Sequence, residues 1–411
     1  MKIFSGFAHN TKYLLALEPM WAVFGGLIFY YAPLYMKELG LTEINMGIIN
    51  TAGLFVAFIC HLLAAPITNR LGRKRTTLIF DVISWSIPMI IWAFARSFWA
   101  FFIAAAINAV VRIVYVSWMC LMIEDSEAST RSRMFGILYI LNYATGLFTP
   151  LSGLLIMKYG TVPVLQVLYI AGFFSMTLMF VIRNKFVRET AVGLELMKQH
   201  NGISFLASMK SNFKVIRKVI RDKTIILAGL IYVFTSFILS MNFFQILFMK
   251  ESLGFTSSEL SLVPACSAVI NTLMFLFVLP RLGRYRVEKM LSVFLVVSAV
   301  GSLLFIFIPH RNLAVLLMVT SIMAVGGFLT QTFRDTVFMN KLGEHEKADM
   351  FAAVQTVTTL ICIPSGYIAG FFYSVNPFLP FVTIFILFSV TALISFTLHQ
   401  RTGKTMPGEA S

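Results

Sequence analysis

The sequence predicts an all-α membrane protein in which twelve transmembrane helices form two pseudo-symmetric six-helix bundles. Three observations carry the prediction. Hydrophobic residues make up 58% of the chain and charged residues 12%, against about 45–50% and 25% in soluble domains. Uncharged runs recur at the roughly 20-residue length that a bilayer's hydrocarbon core demands. One basic phrase is written twice, "RLGRKR" at 70–75 and "RLGRYR" at 281–286, 211 positions apart and each time after the second apolar run of its half.

Charges mark the spans in order. The first, 13–36, lies between Lys12 and Lys37. The second, 44–69, runs from Glu43 to Arg70, and the third, 76–95, from Arg75 to Arg96. The fourth, 97–123, is closed by Glu124 and holds Arg112. The fifth, 134–157, lies between Arg133 and Lys158, and the sixth, 160–182, stops at Arg183. In the second half the spans are 224–249, 259–280, 290–309, 312–338, 350–372 and 378–399. The last two share one uncharged stretch, which "SVNPFLP" breaks with a turn signal. A β-barrel would show segments of about ten residues with alternating polarity; these runs are twice that length and apolar all round, so helices must satisfy the backbone.

The first run is too long for a signal-peptide core, so no cleaved signal is expected. Cys60, Cys120, Cys266 and Cys362 fall in four different spans and read as membrane thiols. With the N-terminus inside, 27 of the 33 Lys and Arg fall on inner segments, five on outer loops (Lys37, Arg96, Lys158, Lys250, Arg311), and Arg112 within a span. That bias expects both termini in the cytoplasm and a multi-pass protein of the plasma membrane. It also explains the formal charge of +15 without a nucleic-acid partner.

The chain divides into an N-terminal bundle (1–183), a basic cytoplasmic linker (184–222) and a C-terminal bundle with a short cytoplasmic tail (223–411). In the linker, Phe205, Met209, Phe213, Ile216 and Ile220 recur at helical spacing among Lys and Arg. This fits an amphipathic helix on the inner leaflet. A second echo supports the repeat: "MFGILYILNYATGLFTPLSG" opens the fifth span and "MFAAVQTVTTLICIPSG" the eleventh.

These features together resemble the major facilitator superfamily, whose members carry Gly-x-x-x-Asp-Arg-x-Gly-Arg-Lys between helices 2 and 3. Here the stretch is "APITNRLGRK": Ala65 and Asn69 replace the Gly and Asp, while Arg70, Gly72, Arg73 and Lys74 agree. The second copy keeps Arg281, Gly283 and Arg284. The resemblance implies a transporter whose basic turns latch against acids at neighbouring helix ends. Gly72 and Gly283 are expected to allow tight turns. The candidate acids are Asp81, Glu124 and Asp125 in the first half, with Glu344, Glu346 and Asp349 in the second. Arg334 and Asp335, near the inner end of helix 10, join the gate.

Ionisable groups at depth cost about 2.5–3.5 kcal/mol on insertion scales and need a reason. Arg112 sits about 12 residues from Glu124, roughly 18 Å deep at 1.5 Å per residue. It shares a helical face with Asn108, Tyr115 and Met119. It is expected either to hold a polar or anionic substrate group or to form a structural ion pair. Glu18, before Pro19 and Trp21, is expected to pair with Arg112 and carry a proton, or else to reach inner water. Asn142, Asn242, Gln245, Asn271, Gln331 and Gln355, with Thr149 and Thr359, are expected to line the cavity or bond helix to helix. "TPLSGL" at 149–154 resembles the family's antiporter signature. His61 reads as a helix–helix hydrogen bond.

The sequence contains no phosphate-binding loop, metal-spaced cluster or nucleophile–base set. A non-enzymatic, monomeric secondary transporter without cofactor is therefore expected. Its partners are a small-molecule substrate, the lipid bilayer and protons, with a lean to export. Uptake of a sugar or organic anion, or ligand sensing without transport, stands as the alternative.

Overall fold

The computed structural model describes residues 6–200, 223–341 and 347–404. All regular structure among them is helical. Twelve helices are long and apolar enough to cross a membrane. They are α1 (His9–Glu38), α2 (Glu43–Leu71), α3 (Arg73–Phe94), α4 (Phe98–Ile123), α5 (Ser129–Tyr159), α6 (Thr161–Phe186), α7 (Ile226–Glu251), α8 (Ser257–Leu282), α9 (Val287–Ile306), α10 (Leu313–Asn340), α11 (Ala353–Val375) and α12 (Leu379–Leu398). A short linker helix, Ala191–His200, follows α6. The amphipathic segment read at 205–220 lies outside the described residues, as do Glu344, Glu346 and the side chain of Asp349.

The chain forms two compact units, Met1–Asn212 and Phe213–Ser411. Within the first, α6 packs on α1 and α3, α4 on α2 and α3, and α1 on α5. Within the second, α12 packs on α7 and α9, α10 on α8 and α9, and α7 on α11. Each pairing recurs with the helix number raised by six, so the repeat seen in two phrases extends to the packing.

Several spans are broken where the sequence removes a backbone donor. Pro19 opens a new segment after Leu17, and a 3₁₀ turn at Phe29–Tyr31 precedes Pro33. A π-segment at Val82–Ser86 precedes Pro88, and a 3₁₀ turn at Thr145–Phe148 precedes Pro150. Proline lacks the N–H and clashes with the preceding turn, so helices bend there. Carbonyls at the end of the Pro19–Ile28 segment accept from a neighbouring helix. Thr149 Oγ1 donates to the Gly26 carbonyl (3.1 Å) and Ser152 Oγ to that of Leu27 (2.7 Å). Thr149 is buried in this joint and bonds helix to helix, the second of the two roles expected of it, and does not line a cavity. The "TPLSGL" stretch thus fastens α5 to α1.

Small residues set how closely the helices cross. A Cβ added at Gly26 would sit 1.9 Å from the Thr145 carbonyl oxygen, on backbone that cannot step aside. Gly229 in α7 meets nothing within 4 Å. Gly26→Ala is therefore expected to abolish stable folding, read as loss of a monodisperse peak after detergent extraction. Gly229→Ala should extract and melt like the wild type.

Candidate functional site

A cavity of about 210 Å³ opens in the N-terminal unit between α1, α3, α4, α5 and α6. Glu18 reaches it from the Leu17–Pro19 break in α1. Asp81 and Trp85 lie one turn apart in α3, at the start of the π-segment. Val111, Val114, Tyr115 and Trp118 form one face of α4, while Phe180 and Arg183, three residues apart, project from α6. Trp21 of α1 and Asn142 of α5 complete the polar and aromatic lining.

Its electrostatics centre on Arg183. The guanidinium pairs with the Asp81 carboxylate through Nη2 and Oδ2, with both side chains buried. It also lies 5.3 Å from the Phe180 ring centroid. Glu18 shares the field of Arg183, and its carboxylate makes no hydrogen bond among the described residues. One cation thus faces two carboxylates inside the spanning part of the bundle.

This arrangement corrects three expectations. The cation beside Glu18 is Arg183, not Arg112. From sequence Arg183 reads as the charge that stops the sixth span at 182; α6 instead runs on to Phe186 and buries it. Asp81, expected at the latch, is the partner of Arg183. Arg112 does not line this cavity: it is exposed on α4, and its electrostatic neighbours are Tyr115 on its own helix and Cys60 and His61 on α2. The 3.6-residue period, which places Val111, Val114, Tyr115 and Trp118 on one side, turns Arg112 toward another.

The remaining predicted residues divide. Tyr115 and Asn142 line the cavity, and Asn142 Nδ2 donates to the Leu138 carbonyl at 3.0 Å. Asn108 does not join them; its Nδ2 donates to the Ser84 carbonyl (2.7 Å), which lacks its α-helical donor because Pro88 stands four residues on. In the C-terminal unit, Asn242 and Gln245 flank the break in α7. The Oδ1 atoms of Asn242 and Asn271 are buried without a hydrogen-bond partner among the described residues. Gln331 is exposed on α10, and Gln355 is half-buried on α11, its carbonyl accepting from Thr359 (2.8 Å).

The first basic turn is a second, separate site. Gly72 alone joins α2 to α3, with φ +83°. A glycine here has no side chain to cap the new helix. Glu189, just past α6, does so instead: its carboxylate accepts from the N–H groups of Arg73 and Lys74, each at 2.9 Å. A negative group at a helix N-terminus is favoured by both the open donors and the macrodipole. Arg73 is buried and donates through Nε (3.1 Å) and Nη2 (3.0 Å) to Glu124 Oε1, and through Nη1 to Asn69 Oδ1 (3.1 Å). Thr190 Oγ1 donates to Glu124 as well. Asn69 therefore still binds the arginine, and Glu124 supplies the charge. Asn10 ties the junction down, exchanging two hydrogen bonds with the Arg188 backbone (2.9 and 2.8 Å) and donating to Asp125 (3.3 Å). Glu189, Thr190 and Asn10 escaped the sequence reading because nothing local marks them.

The second copy folds differently. Gly283 has φ −59° and is exposed, and a looser loop of four residues precedes Val287. This corrects the expectation of two equal tight turns. Arg281 Nη1 donates to the Phe277 carbonyl on its own helix. Arg284 is exposed and unpaired among the described residues. Arg334 and Asp335 form their own cluster. Asp335 accepts from Arg334 Nε (2.9 Å) and Tyr232 Oη (2.5 Å), and Arg334 donates to Thr235 (2.7 Å) while lying 4.2 Å from the Tyr232 ring centroid.

Residues 20–366 match the family model described as Major Facilitator Superfamily. No curated protein matches the sequence. Among solved structures, the chain is similar to the nucleoside transporter NupG, with TM-score 0.69 and 16% identity over 96% of this chain and 99% of that one. It is similar to the human organic anion transporter MFSD10 (0.63, 13%, 94% and 99%). It is also similar to a POT family transporter in complex with a thioalcohol-conjugated peptide (0.68, 12%, 96% and 96%). At these identities the likeness is one of fold.

Two outcomes follow from the geometry. Removing one partner of a buried pair strands the other, at about 3–5 kcal/mol. Arg183→Met should lower the melting temperature sharply, and adding Asp81→Leu should restore most of the loss in a thermal melt. At the turn, a Cβ on Gly72 would sit 2.6 Å from Glu189 Oε2 and 2.7 Å from Met197 Sδ. Gly72→Ala should therefore destabilise by more than about 1 kcal/mol, since positive φ adds strain; Gly283→Ala should change the melt little.

Proposed function

The chain belongs to the Major Facilitator Superfamily, and from that premise we propose a secondary transporter that moves a small molecule by alternating access, coupled to protons through Glu18, Asp81 and Arg183. One observation carries this reading: two carboxylates and one guanidinium line a single cavity in the spanning part of the N-terminal bundle, and only one of the carboxylates is paired among the described residues. With both carboxylates ionised the group holds a net negative charge, which an apolar membrane interior opposes. Binding one proton makes it neutral. Asp81 is engaged directly by Arg183 while the Glu18 carboxylate is not hydrogen-bonded among the described residues, so Glu18 is the proton carrier in this reading.

The asymmetry of basic residues between the two sides supports a plasma-membrane protein with both termini in the cytoplasm. On that topology the Gly72 turn, Arg73, Glu124 and Glu189 form an inner latch, with Lys74 and Arg70 on its rim. Direction is outward, on the likeness of "TPLSGL" to the antiporter signature.

The test begins with a thermal-shift panel of sugars, nucleosides, amino acids, short peptides, organic anions and organic cations. A ligand at 100 times its Kd adds about 2.7 kcal/mol of stability. The hit is then added to proteoliposomes loaded with a pH-sensitive dye. Wild-type protein is expected to move protons when the ligand is added, and Glu18→Gln to move none while retaining the wild-type melt. Undiminished ligand-driven proton movement in Glu18→Gln would remove Glu18 from coupling.

A further inference from the structure

Resting on the transport reading above, we propose that the cargo is an organic cation: an ammonium on a single ring or compact hydrophobic body, held between Glu18 and the rings of Trp21, Trp85, Tyr115 and Trp118.

The argument starts from which groups in the cavity are already engaged. Its guanidinium is spent on Asp81 and buried beneath it. The Glu18 carboxylate faces the cavity and makes no hydrogen bond among the described residues. Asn142 uses its amide N–H on the Leu138 carbonyl, which leaves its Oδ1 as an acceptor. The charged donor is therefore taken, while a charged acceptor and a neutral one are open. An anionic cargo would have to break the Arg183–Asp81 pair; a cation meets groups that already await it.

The walls fit the same chemistry. Three indoles and a phenol line a small volume. Trp21 and Trp85 meet edge to face, centroids 5.6 Å apart at 75°, and Phe29 supports Trp85 from 5.6 Å. The electron-rich faces of Trp and Tyr attract cations, Trp most strongly, and more so when water is excluded. At about 210 Å³ the space falls below the roughly 300–1,000 Å³ of pockets for drug-sized ligands, so a one-ring cargo suits it.

Proton and cargo then compete. Either one neutralises Glu18, and the groups facing it are Arg183 of α6, Asp81 of α3 and Tyr115 of α4, with uncharged Asn142 from α5. Cation binding releases the proton and weakens as pH falls. This is the exchange an exporter driven by an inward proton gradient requires.

The test uses the full-length protein in detergent, with intrinsic tryptophan fluorescence as readout. The probes are phenyltrimethylammonium, its uncharged carbon isostere tert-butylbenzene, and benzenesulfonate. The ammonium is expected to bind at least about tenfold more tightly than either of the others, and to lose affinity as pH is lowered. Glu18→Gln should erase the preference for charge. Trp118→Leu should weaken the ammonium and leave the isostere nearly unchanged; with the pH series, it carries the test if Glu18→Gln fails to fold. Equal binding of the isostere, tighter binding of the sulfonate, binding of none of the three, or a retained charge preference in Glu18→Gln would each overturn the proposal. Any of these alongside Glu18-dependent proton movement in proteoliposomes would sink the cargo class alone and leave the transport reading standing.

Discussion

Arg183 must be neutralised where water is scarce, and much of the N-terminal unit is arranged around that need. A guanidinium inside a spanning helix is costly unless carboxylates meet it. Asp81 meets it directly from α3, and Glu18 shares its field from α1. This requires α1, α3 and α6 to lie side by side, as the packing has them. Bringing Glu18 into the group also uses the break at Pro19. Because two acids answer one base, the centre is left with one unbalanced charge. A proton or a cation can fill that place, so the stabilising arrangement and the proposed coupling are the same three side chains.

The aromatic walls and the latch have different relations to this centre. Trp21, Trp85 and Trp118 line the cavity around it with apolar surface, which lowers the local dielectric and strengthens the electrostatic terms there. The Gly72 turn stands apart from it, yet is joined to it through helices. Arg73 opens α3, the helix that carries Asp81, and Glu189 follows α6, the helix that carries Arg183. A movement that loosened the Glu189 cap would thus act on the two helices whose charges pair within the bundle. A link between the Gly72 turn and the Arg183 group would run through rigid helices rather than through a chain of side-chain contacts.

The two basic phrases differ at one position in six, yet their glycines adopt opposite signs of φ. Gly72 is pinned between α2, the linker helix and the Glu189 carboxylate. Gly283 sits exposed in a longer loop. Their environments, more than their letters, separate them. Asp335, in the C-terminal part of α10 as Glu124 is just beyond the end of α4, is held by Arg334 and Tyr232 within its own unit. The duplication therefore persists in helix packing while the polar networks have diverged.

Composition, run length and charge asymmetry determined by themselves that this chain crosses the membrane twelve times and repeats after six helices. A bilayer imposes length and apolarity on every span separately, so each can be read without knowing its neighbours. They also marked Glu18, Tyr115 and Asn142 as polar groups at depth. Tertiary structure alone decided which charges meet. Arg183 reads from sequence as the charge that closes the sixth span, because sequence cannot show whether the last turn of a helix is buried. Arg112 looked central, because a helix read alone has no neighbours to say which side faces the cavity. Glu189 and Asn10 act across more than 110 positions of chain, and contacts made at that separation leave no local pattern to find.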